Sequence, residues 1–568
     1  MARTFIRNIK RRVYPLSGAW RYKKDENGIG KENGWYNGLT DAATCDIPSV
    51  WNTEFGMLTY CGKVWYEREF YFDGGTMRLC FGAVMTDCEI WLDGVCVGSH
   101  YGGFCEFSVT VRGVSPGMHR ITVLCDNSFD EKSIPQIKVD WYHYGGIIRD
   151  VDAELLSGIS VNNIHVEYEL SADLGELSLR AIADVYNAGD ATATDSVCFK
   201  IDGLCEFKTD ITLDAAKECT TEIGRAVIRD FELWDPASPK LYGICAYTST
   251  DDICDRVGFR KVEVCQKGVL INGKLTELRG VNRHEEHPDH GFAFPRDLMR
   301  RDIDIIRDLG CNTVRGSHYP ASRYFMDLTD EYGILYWSEI PIWGYGFSPK
   351  ALADKTVIER GAEMHRDMVK YYYNHPSIII WGMHNEIHSE CEEAVPMTKQ
   401  YYEFLKANGG NRIITYATDR PLTDICLEWC DLISINAYIG WYHSEMDQWQ
   451  AYLDKIKARR EELGYAHKPV IMSEFGAAAL YGHHTFDNVH WTEEYQAKLI
   501  GHTLELFHAS DICCGFYIWQ FADIRTCLEV GLNRARGFNN KGILNEHRKP
   551  KLAYLKTKEL YEKFKAEN

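Results

Sequence analysis

Residues 1–265 alternate apolar and polar positions in short runs, which is the pattern of β-strands and not of amphipathic helices. Turn dipeptides such as Asp93–Gly94 separate the runs. In residues 1–156 the alternation predicts an antiparallel β-sandwich of the jelly-roll type, with strands at Val64–Tyr71, Met77–Phe81, Glu89–Leu92 and Arg120–Cys125. In residues 157–265 it predicts an immunoglobulin-like β-sandwich, with strands at Ile164–Leu170, Leu177–Tyr186 and Ser196–Asp202.

The rhythm changes in residues 266–568, where strand-like runs alternate with helical ones. The clearest helical runs are Arg296–Leu309, Val357–Tyr373 and Glu493–Ala509, and Leu552–Lys565 ends the series. We expect a (β/α)8 TIM barrel with insertions, because eight strand-like runs occur: Leu275–Asn282, Cys311–His318, Ile334–Glu339, Ser377–Glu386, Arg412–Thr418, Leu432–Tyr438, Pro469–Phe475 and Gly515–Ala522.

Composition and charge narrow the class of protein. Of the 568 residues, 45% are apolar and 26% are charged, which is typical of a globular protein. The net charge of −19 argues against nucleic-acid and anionic-membrane partners. No apolar run is long enough to span a membrane. The 20 cysteines lack regular spacing and the first residues lack an apolar leader, so we expect reduced thiols and a cytoplasmic location.

Two barrel strands end abruptly in a glutamate. Strand 4 reads Ser-Ile-Ile-Ile-Trp-Gly-Met-His-Asn-Glu up to Glu386, and strand 7 reads Pro-Val-Ile-Met-Ser-Glu up to Glu474. Barrel enzymes place their chemistry at the carboxyl ends of strands, and strands 4 and 7 face each other across the mouth. A carboxylate pair about 5–5.5 Å apart hydrolyses glycosides with retention. A structural ion-pair role is the alternative for either glutamate alone.

These residues carry a family likeness over nearly the full length of the chain. The chain resembles the family 2 glycoside hydrolases in its domain order and in the segments His384–Glu386, Ser473–Gly476, Gly280–His284 and Ser317–Pro320. The resemblance implies that Glu386 is the acid/base, Glu474 the nucleophile and Asn385 a ligand of the sugar 2-hydroxyl. It also implies that no cofactor is needed and that the chain forms a dimer or tetramer.

A short segment after strand 8 suggests the sugar. Asn539 and Lys541 lie two residues apart and can converge on one carboxylate, the amide as a directional donor and the lysine as a cation. This pair resembles the Asn-x-Lys motif of β-glucuronidases, which binds the C6 carboxylate. It predicts that the substrate is a small β-glucuronide, and it gives an acidic protein a local cation for an anionic sugar.

Further positions match the glucuronidase pattern. The resemblance implies substrate-binding roles for a set of polar and aromatic residues: Asp140, His318, Tyr438, Tyr442 and Trp519. A packing role is the alternative for each. β-Glucuronidases often carry an arginine four residues before the motif asparagine. Here that position is Ala535, with Arg534 and Arg536 beside it, and we expect Arg536 to contact the substrate.

Three alternatives stay open. A β-galacturonidase or a neutral-sugar β-galactosidase of the same family is the nearer rival, and Lys541 argues against the neutral sugar. A non-catalytic carbohydrate-binding protein is the distant one, and the intact glutamate pair argues against it. A metal site in the loop His284–His290 is not expected, since the spacing is not that of zinc ligands.

Overall fold

The computed structural model describes residues 2–531 and 533–567. The first block is a sandwich of two antiparallel sheets. The four-stranded sheet has the order Arg12–Pro15, Val151–Leu156, Gly75–Phe81 and Phe107–Val114. The six-stranded sheet has the order Ala43–Ile47, Gly18–Asp25, Lys63–Phe72, Gly117–Asp126, Asp87–Leu92 and Val95–Tyr101. Their inner faces share one apolar core that includes Trp20, Phe72 and Phe81.

The second block is also a sandwich of antiparallel strands. A sheet of three strands comprises Ile159–Leu170, Leu177–Asn187 and Glu218–Ile228. It packs on a sheet of four strands in the order Cys205–Leu213, Ala193–Ile201, Tyr242–Tyr247 and Asp252–Val257. At the start of the strand Leu177–Asn187 every second side chain is buried, as the alternating sequence pattern predicts.

Cys245 and Cys254 form a disulfide across two neighbouring strands of this sandwich. The expectation of reduced thiols throughout is therefore wrong for this pair, which lies on adjacent strands at directly opposed positions. The remaining cysteines are free thiols, several of them buried among apolar side chains.

Eight parallel strands close into a barrel. A small antiparallel sheet, Val262–Cys265, Gly268–Ile271 and Lys274–Thr276, precedes it. Barrel strands 1–8 are Leu278–Arg283, Thr313–Gly316, Leu335–Glu339, Ile378–Asn385, Ile413–Thr418, Ile433–Asn436, Val470–Phe475 and Cys513–Ile518. Nearly every residue of these strands is buried, because helices cover the outside and side chains fill the inside. The two sandwiches and the barrel confirm the predicted fold class.

The helices described in the barrel region are Arg296–Asp308, Arg323–Tyr332, Pro349–Leu352, Lys355–Tyr372, Val395–Asn408, Trp449–Glu462, Glu493–His508, Leu528–Gly531 and Leu552–Glu567. Several begin at a side-chain cap, as at Ser322 and Thr492, whose hydroxyls accept a backbone N–H of the first turn. No helix in the described ranges is long and apolar enough to cross a membrane.

The first sandwich reaches the mouth of the barrel through the segment between Asp126 and Gly146. Trp141 of this segment is fully buried and its ring packs near His318 and Trp343 of the barrel. This contact carries the neighbouring Asp140 to the carboxyl ends of the barrel strands.

Candidate active site

A cavity of about 380 Å³ opens at the carboxyl ends of the barrel strands. Both strand-end glutamates, Glu386 and Glu474, line it. Two larger clefts, of about 540 and 1540 Å³, lie elsewhere and neither is lined by these glutamates. Chemistry at strand ends is expected on a barrel, so we take the smaller cavity as the candidate active site.

Glu474 projects from barrel strand 7 and is held by two donors. Arg315 donates from Nη1 to its Oε1 at 2.8 Å, and the Tyr438 hydroxyl donates to Oε2 at 2.8 Å. Burial raises the pKa of Glu474 to about 7, while Arg315 and Tyr438 act in the opposite direction. Two fixed donors orient the carboxylate and favour its ionised form.

Glu386 follows barrel strand 4 with a different set of contacts. Asn436 donates from Nδ2 to its Oε1 at 2.8 Å. Burial, and then the charge of Glu474, raise the pKa of Glu386 well above its usual range. Because Arg315 bonds to Glu474 and not to Glu386, the proton of the pair resides on Glu386. The contacts therefore favour the ionised form of Glu474 and the protonated form of Glu386.

The backbone at Glu386 is strained, with φ +50° in the left-handed region. Its N–H donates to the carbonyl of Ala417 at 2.8 Å, and Gly344 packs directly on its carbonyl. A Cβ at position 344 would lie 1.4 Å from the Glu386 oxygen, so only glycine fits there.

Replacing Gly344 with alanine is therefore expected to displace Glu386. A misplacement of about 1 Å costs roughly a hundredfold in rate, so we expect kcat to fall by about that factor or more. Steady-state kinetics with a thermal melt measure the effect. Gly175→Ala is the matched control, since its new Cβ meets only ordinary contacts at 3.5 Å or beyond in the second sandwich. Equal kcat in the two variants would contradict this role.

Arg315 organises the floor of the site. It is fully buried and forms a bidentate pair with Glu339, both contacts at 2.9 Å. Its Nη2 also donates to Asn385 Oδ1 at 2.7 Å. His318 shares the Glu339 carboxylate through Nδ1 at 2.7 Å, and burial followed by the Arg315 charge lowers the pKa of His318 well below its usual value. His318 is therefore a neutral ring beside Glu474.

Asn385 lies directly before Glu386, behind the cavity lining, and Trp519 is part of that lining. Asn385 is fully buried, and its Nδ2 has no hydrogen-bond partner within the described part of the chain. A substrate hydroxyl would satisfy that donor. Trp519 follows barrel strand 8, lines the cavity and stacks on His318 with ring centroids 5.1 Å apart.

A cationic cluster lies on the other side of the cavity. Lys541 donates from Nζ to the Tyr442 hydroxyl at 2.6 Å, and Arg534 donates to the same oxygen at 3.0 Å. Arg534 also pairs with both Asp140 oxygens at 2.7 and 2.9 Å, and Asn539 donates to Asp140 at 2.9 Å. Although burial acts to raise it, Lys541 and Arg534 leave the pKa of Tyr442 below its usual value. The cluster suits an anionic group.

Arg536 does not join this cluster, which corrects the expectation that it contacts the substrate. Its side chain pairs with Glu546 at 2.8 Å and donates to Asn540 at 3.1 Å. Arg536 has φ +61° and does not line the cavity, whereas Arg534 does. The arginine next to Ala535 that faces the site is thus Arg534.

Sequence reasoning missed several residues at the site, among them Arg315, Glu339 and Asn436, and it favoured Arg536 over Arg534. The sequence did carry a signal for Glu339: like the two candidate glutamates, it stands at the end of an apolar barrel strand. Arg315 stands in barrel strand 2, where a charge inside a buried strand predicts a buried partner. Nothing local distinguishes Arg534 from Arg536.

No residue of the loop after barrel strand 1, all of which the structure describes, lines the cavity. His284 is buried against the Tyr319 hydroxyl at 3.1 Å and near the Trp519 ring. Potential ligand atoms of His287, Asp289 and His547 lie within 4.8 Å of one another, away from the cavity lining.

Tyr438 offers a test through pH. Its hydroxyl stabilises ionised Glu474, so removing it in Tyr438→Phe raises the pKa of that carboxyl. A carboxylate nucleophile attacks in its ionised form, so if Glu474 has that role, activity falls as the pH drops below its pKa. The acidic limb of kcat/KM should therefore move to higher pH by about one unit, the scale of one hydrogen bond to a charged group. An acidic limb at the same pH in both enzymes would contradict the contact.

Two glutamates that line one cavity at the mouth of a (β/α)8 barrel are the arrangement that glycoside hydrolases use. The family model "Glycosyl hydrolases family 2, TIM barrel domain" matches residues 262–566. The chain belongs to glycosyl hydrolase family 2, and it is an enzyme of that class.

Similar proteins span the whole chain. A β-glucuronidase of Paenibacillus borealis is 27% identical over 597 residues, covering 96% of each protein. The crystal structure of a β-galacturonidase from Eisenbergiella tayi bound to galacturonate superposes with a TM-score of 0.92, at 34% identity and 99% coverage of both chains. That of a β-glucuronidase from Ruminococcus gnavus gives a TM-score of 0.88, at 25% identity and 98% coverage of both.

Proposed function

We propose that this enzyme is a retaining β-hexuronidase, which removes a terminal uronic acid from a β-glycoside. The observation that carries the proposal is the joint lining of one cavity by the pair Glu386 and Glu474 and by the cations Lys541 and Arg534. The first pair supplies the chemistry of glycoside cleavage, and the second supplies the recognition of an anionic sugar.

The reaction proceeds in two displacements. Ionised Glu474, oriented by Arg315 and Tyr438, attacks the anomeric carbon while Glu386 donates its proton to the leaving oxygen. The glycosyl group is then esterified to Glu474, and Glu386 is a carboxylate. Glu386 next takes a proton from water, and the resulting hydroxide displaces Glu474 to release the sugar with its original anomeric configuration.

The cationic cluster recognises the C6 carboxylate. Lys541 and Asn539 meet it as a cation and an amide donor, and Tyr442 and Arg534 hold the lysine in place through the shared phenol oxygen. Asp140 accepts from Arg534 and Asn539, so it fixes both and remains positioned to accept from a sugar hydroxyl. A neutral sugar would bury Lys541 without a counter-charge, which is costly.

Two uronic acids are candidates for the sugar. The curated relatives that carry the name β-glucuronidase support a β-D-glucuronide. Two observations favour a β-D-galacturonide as the second candidate: Ala535 replaces the arginine that β-glucuronidases often carry, and the galacturonate-bound structure is more similar in sequence than the glucuronidase structure, at 34% against 25%.

Hydrolysis of four 4-nitrophenyl β-glycosides tests the proposal: glucuronide, galacturonide, glucoside and galactoside. At least one uronide should be cleaved about a hundredfold faster in kcat/KM than either neutral glycoside, since a site built for a polar group rejects substrates that lack it. The faster uronide identifies the sugar. A neutral glycoside cleaved faster than both uronides would refute the role of Lys541.

A further inference from the structure

The cavity has a second polar side that the sugar carboxylate does not use. Asp419 follows barrel strand 5, Tyr452 lies in the first turn of the helix after strand 6, and His443 lies in the loop between them. All three line the same cavity as Glu386. Strands 4, 5 and 6 are neighbours in the barrel, so these side chains share one sector of the mouth.

Glu386, the proposed acid, lies beside this sector. It follows strand 4 and would protonate the leaving oxygen, and strand 5 is one of the two strands next to strand 4, so part of the leaving group faces this side. Lys541 and Arg534 lie after strand 8, and Asp140 comes from the first sandwich, while Tyr442, which both cations contact, lies after strand 6 next to His443. The charged groups proposed to bind the uronic acid and Asp419 therefore lie at different strand ends of one cavity.

Asp419 is held firmly in this sector. Arg420 binds it through two contacts, Nε to Oδ1 at 2.7 Å and Nη2 to Oδ2 at 3.0 Å. The same guanidinium binds Glu390 at 2.8 and 2.9 Å, which ties the loop after strand 4 to the loop after strand 5. Such a network pre-organises a carboxylate at the rim.

The negative charge of Asp419 acts on both Tyr452 and Glu386. After burial and Glu474, the Asp419 charge is the next cause that raises the pKa of Glu386. After burial, it is also what raises the pKa of Tyr452, which keeps the phenol protonated and able to donate. Asp419 and Tyr452 both line the cavity that holds Glu386, so a hydrogen-bond acceptor and a donor are present there.

We propose that Asp419 and Tyr452 form a subsite for a second sugar, so that the natural substrate is a uronosyl-terminated oligosaccharide. This rests on the proposed function. A sugar offers hydroxyls that donate to Asp419 and accept from Tyr452, and its apolar face can pack on the Tyr452 ring. An apolar leaving group would instead strip water from the Asp419 charge.

The test compares two substrates with one glycone. One is the preferred uronic acid β-linked to glucose, and the other is its 4-nitrophenyl β-uronide. In Asp419→Asn and in Tyr452→Phe, the ratio of kcat/KM for disaccharide over aryl uronide should fall about tenfold, the scale of a lost hydrogen bond to substrate. Asp447→Asn removes an exposed charge on the same face that does not line the cavity, and its ratio should stay within about twofold of the parent's.

The ratio of the two kcat/KM values distinguishes a failure of the subsite from a failure of the proposed function. A variant that folds less well loses activity on both substrates, so the ratio does not change. Tyr452→Phe removes only one oxygen atom and is therefore a small structural change. An unchanged ratio in both variants, or a parent enzyme that cleaves the aryl uronide but not the disaccharide, overturns the subsite. A parent enzyme that cleaves neither uronide overturns the proposed function itself.

Discussion

Glu474→Ala is expected to lose at least about 10⁴-fold in kcat, the scale for removing a residue that acts within a catalytic unit. In the proposed mechanism the variant loses the atom that bonds to the anomeric carbon. Glu386 is the proposed acid and Glu339 is bound to Arg315 on both oxygens, so neither is expected to replace it. Steady-state assay of the preferred aryl uronide measures the loss.

Added azide sharpens this experiment. It should restore turnover of Glu474→Ala by direct attack and yield the α-glycosyl azide, because one displacement then replaces two. Glu505→Ala, on an exposed position of the helix Glu493–His508, is the matched control and should retain the parent's rate. Normal turnover in Glu474→Ala with an unchanged thermal melt would end the assignment of the nucleophile.

Lys541→Gln is expected to lower kcat/KM for the uronide by about 30-fold to several thousandfold. This range corresponds to the 2–5 kcal/mol cost of removing one partner of a buried charge pair. Lys541 is 1% exposed, so the sugar carboxylate that loses it meets little water in compensation. Turnover of the neutral glycosides should stay the same or rise, because the variant no longer buries an unmatched cation.

Lys549→Gln supplies the control for that change. Lys549 lies eight residues further along the same loop region and is exposed, so its loss changes the net charge equally without touching the cavity. If Lys541→Gln lowers kcat/KM for the uronide and Lys549→Gln does not, Lys541 acts through direct contact with the substrate. Equal losses in both variants would mean that general electrostatic attraction, and not a carboxylate contact, explains the preference.

Much of the fold could be predicted from the sequence, because the spacing of apolar residues along a strand reflects which of its faces are buried. Strands of the sandwiches alternate since one face is wet, and the barrel strands read as continuous apolar runs since both faces are covered. Strand ends were predicted less accurately. The predicted strand Leu275–Asn282 runs across two elements, Lys274–Thr276 and Leu278–Arg283, because only Glu277 lies between them and no turn residue marks the break.

The site was only partly accessible. Glu386 and Glu474 stand out because each ends an apolar run, but Glu339 does so as well and pairs with Arg315. Only the spatial partner separates a catalytic acid from a structural one. Choosing between Arg534 and Arg536 required the backbone turn at Arg536, which the sequence does not encode locally.

The anomeric form of the first product tests the central claim most directly. Proton NMR of the preferred β-uronide, recorded in the first minutes of hydrolysis, resolves the two anomers before they equilibrate. The account predicts that the β-anomer appears first, since Glu474 and Glu386 act in two displacements. The α-anomer as first product would mean a single displacement by water, and would contradict a covalent intermediate on Glu474.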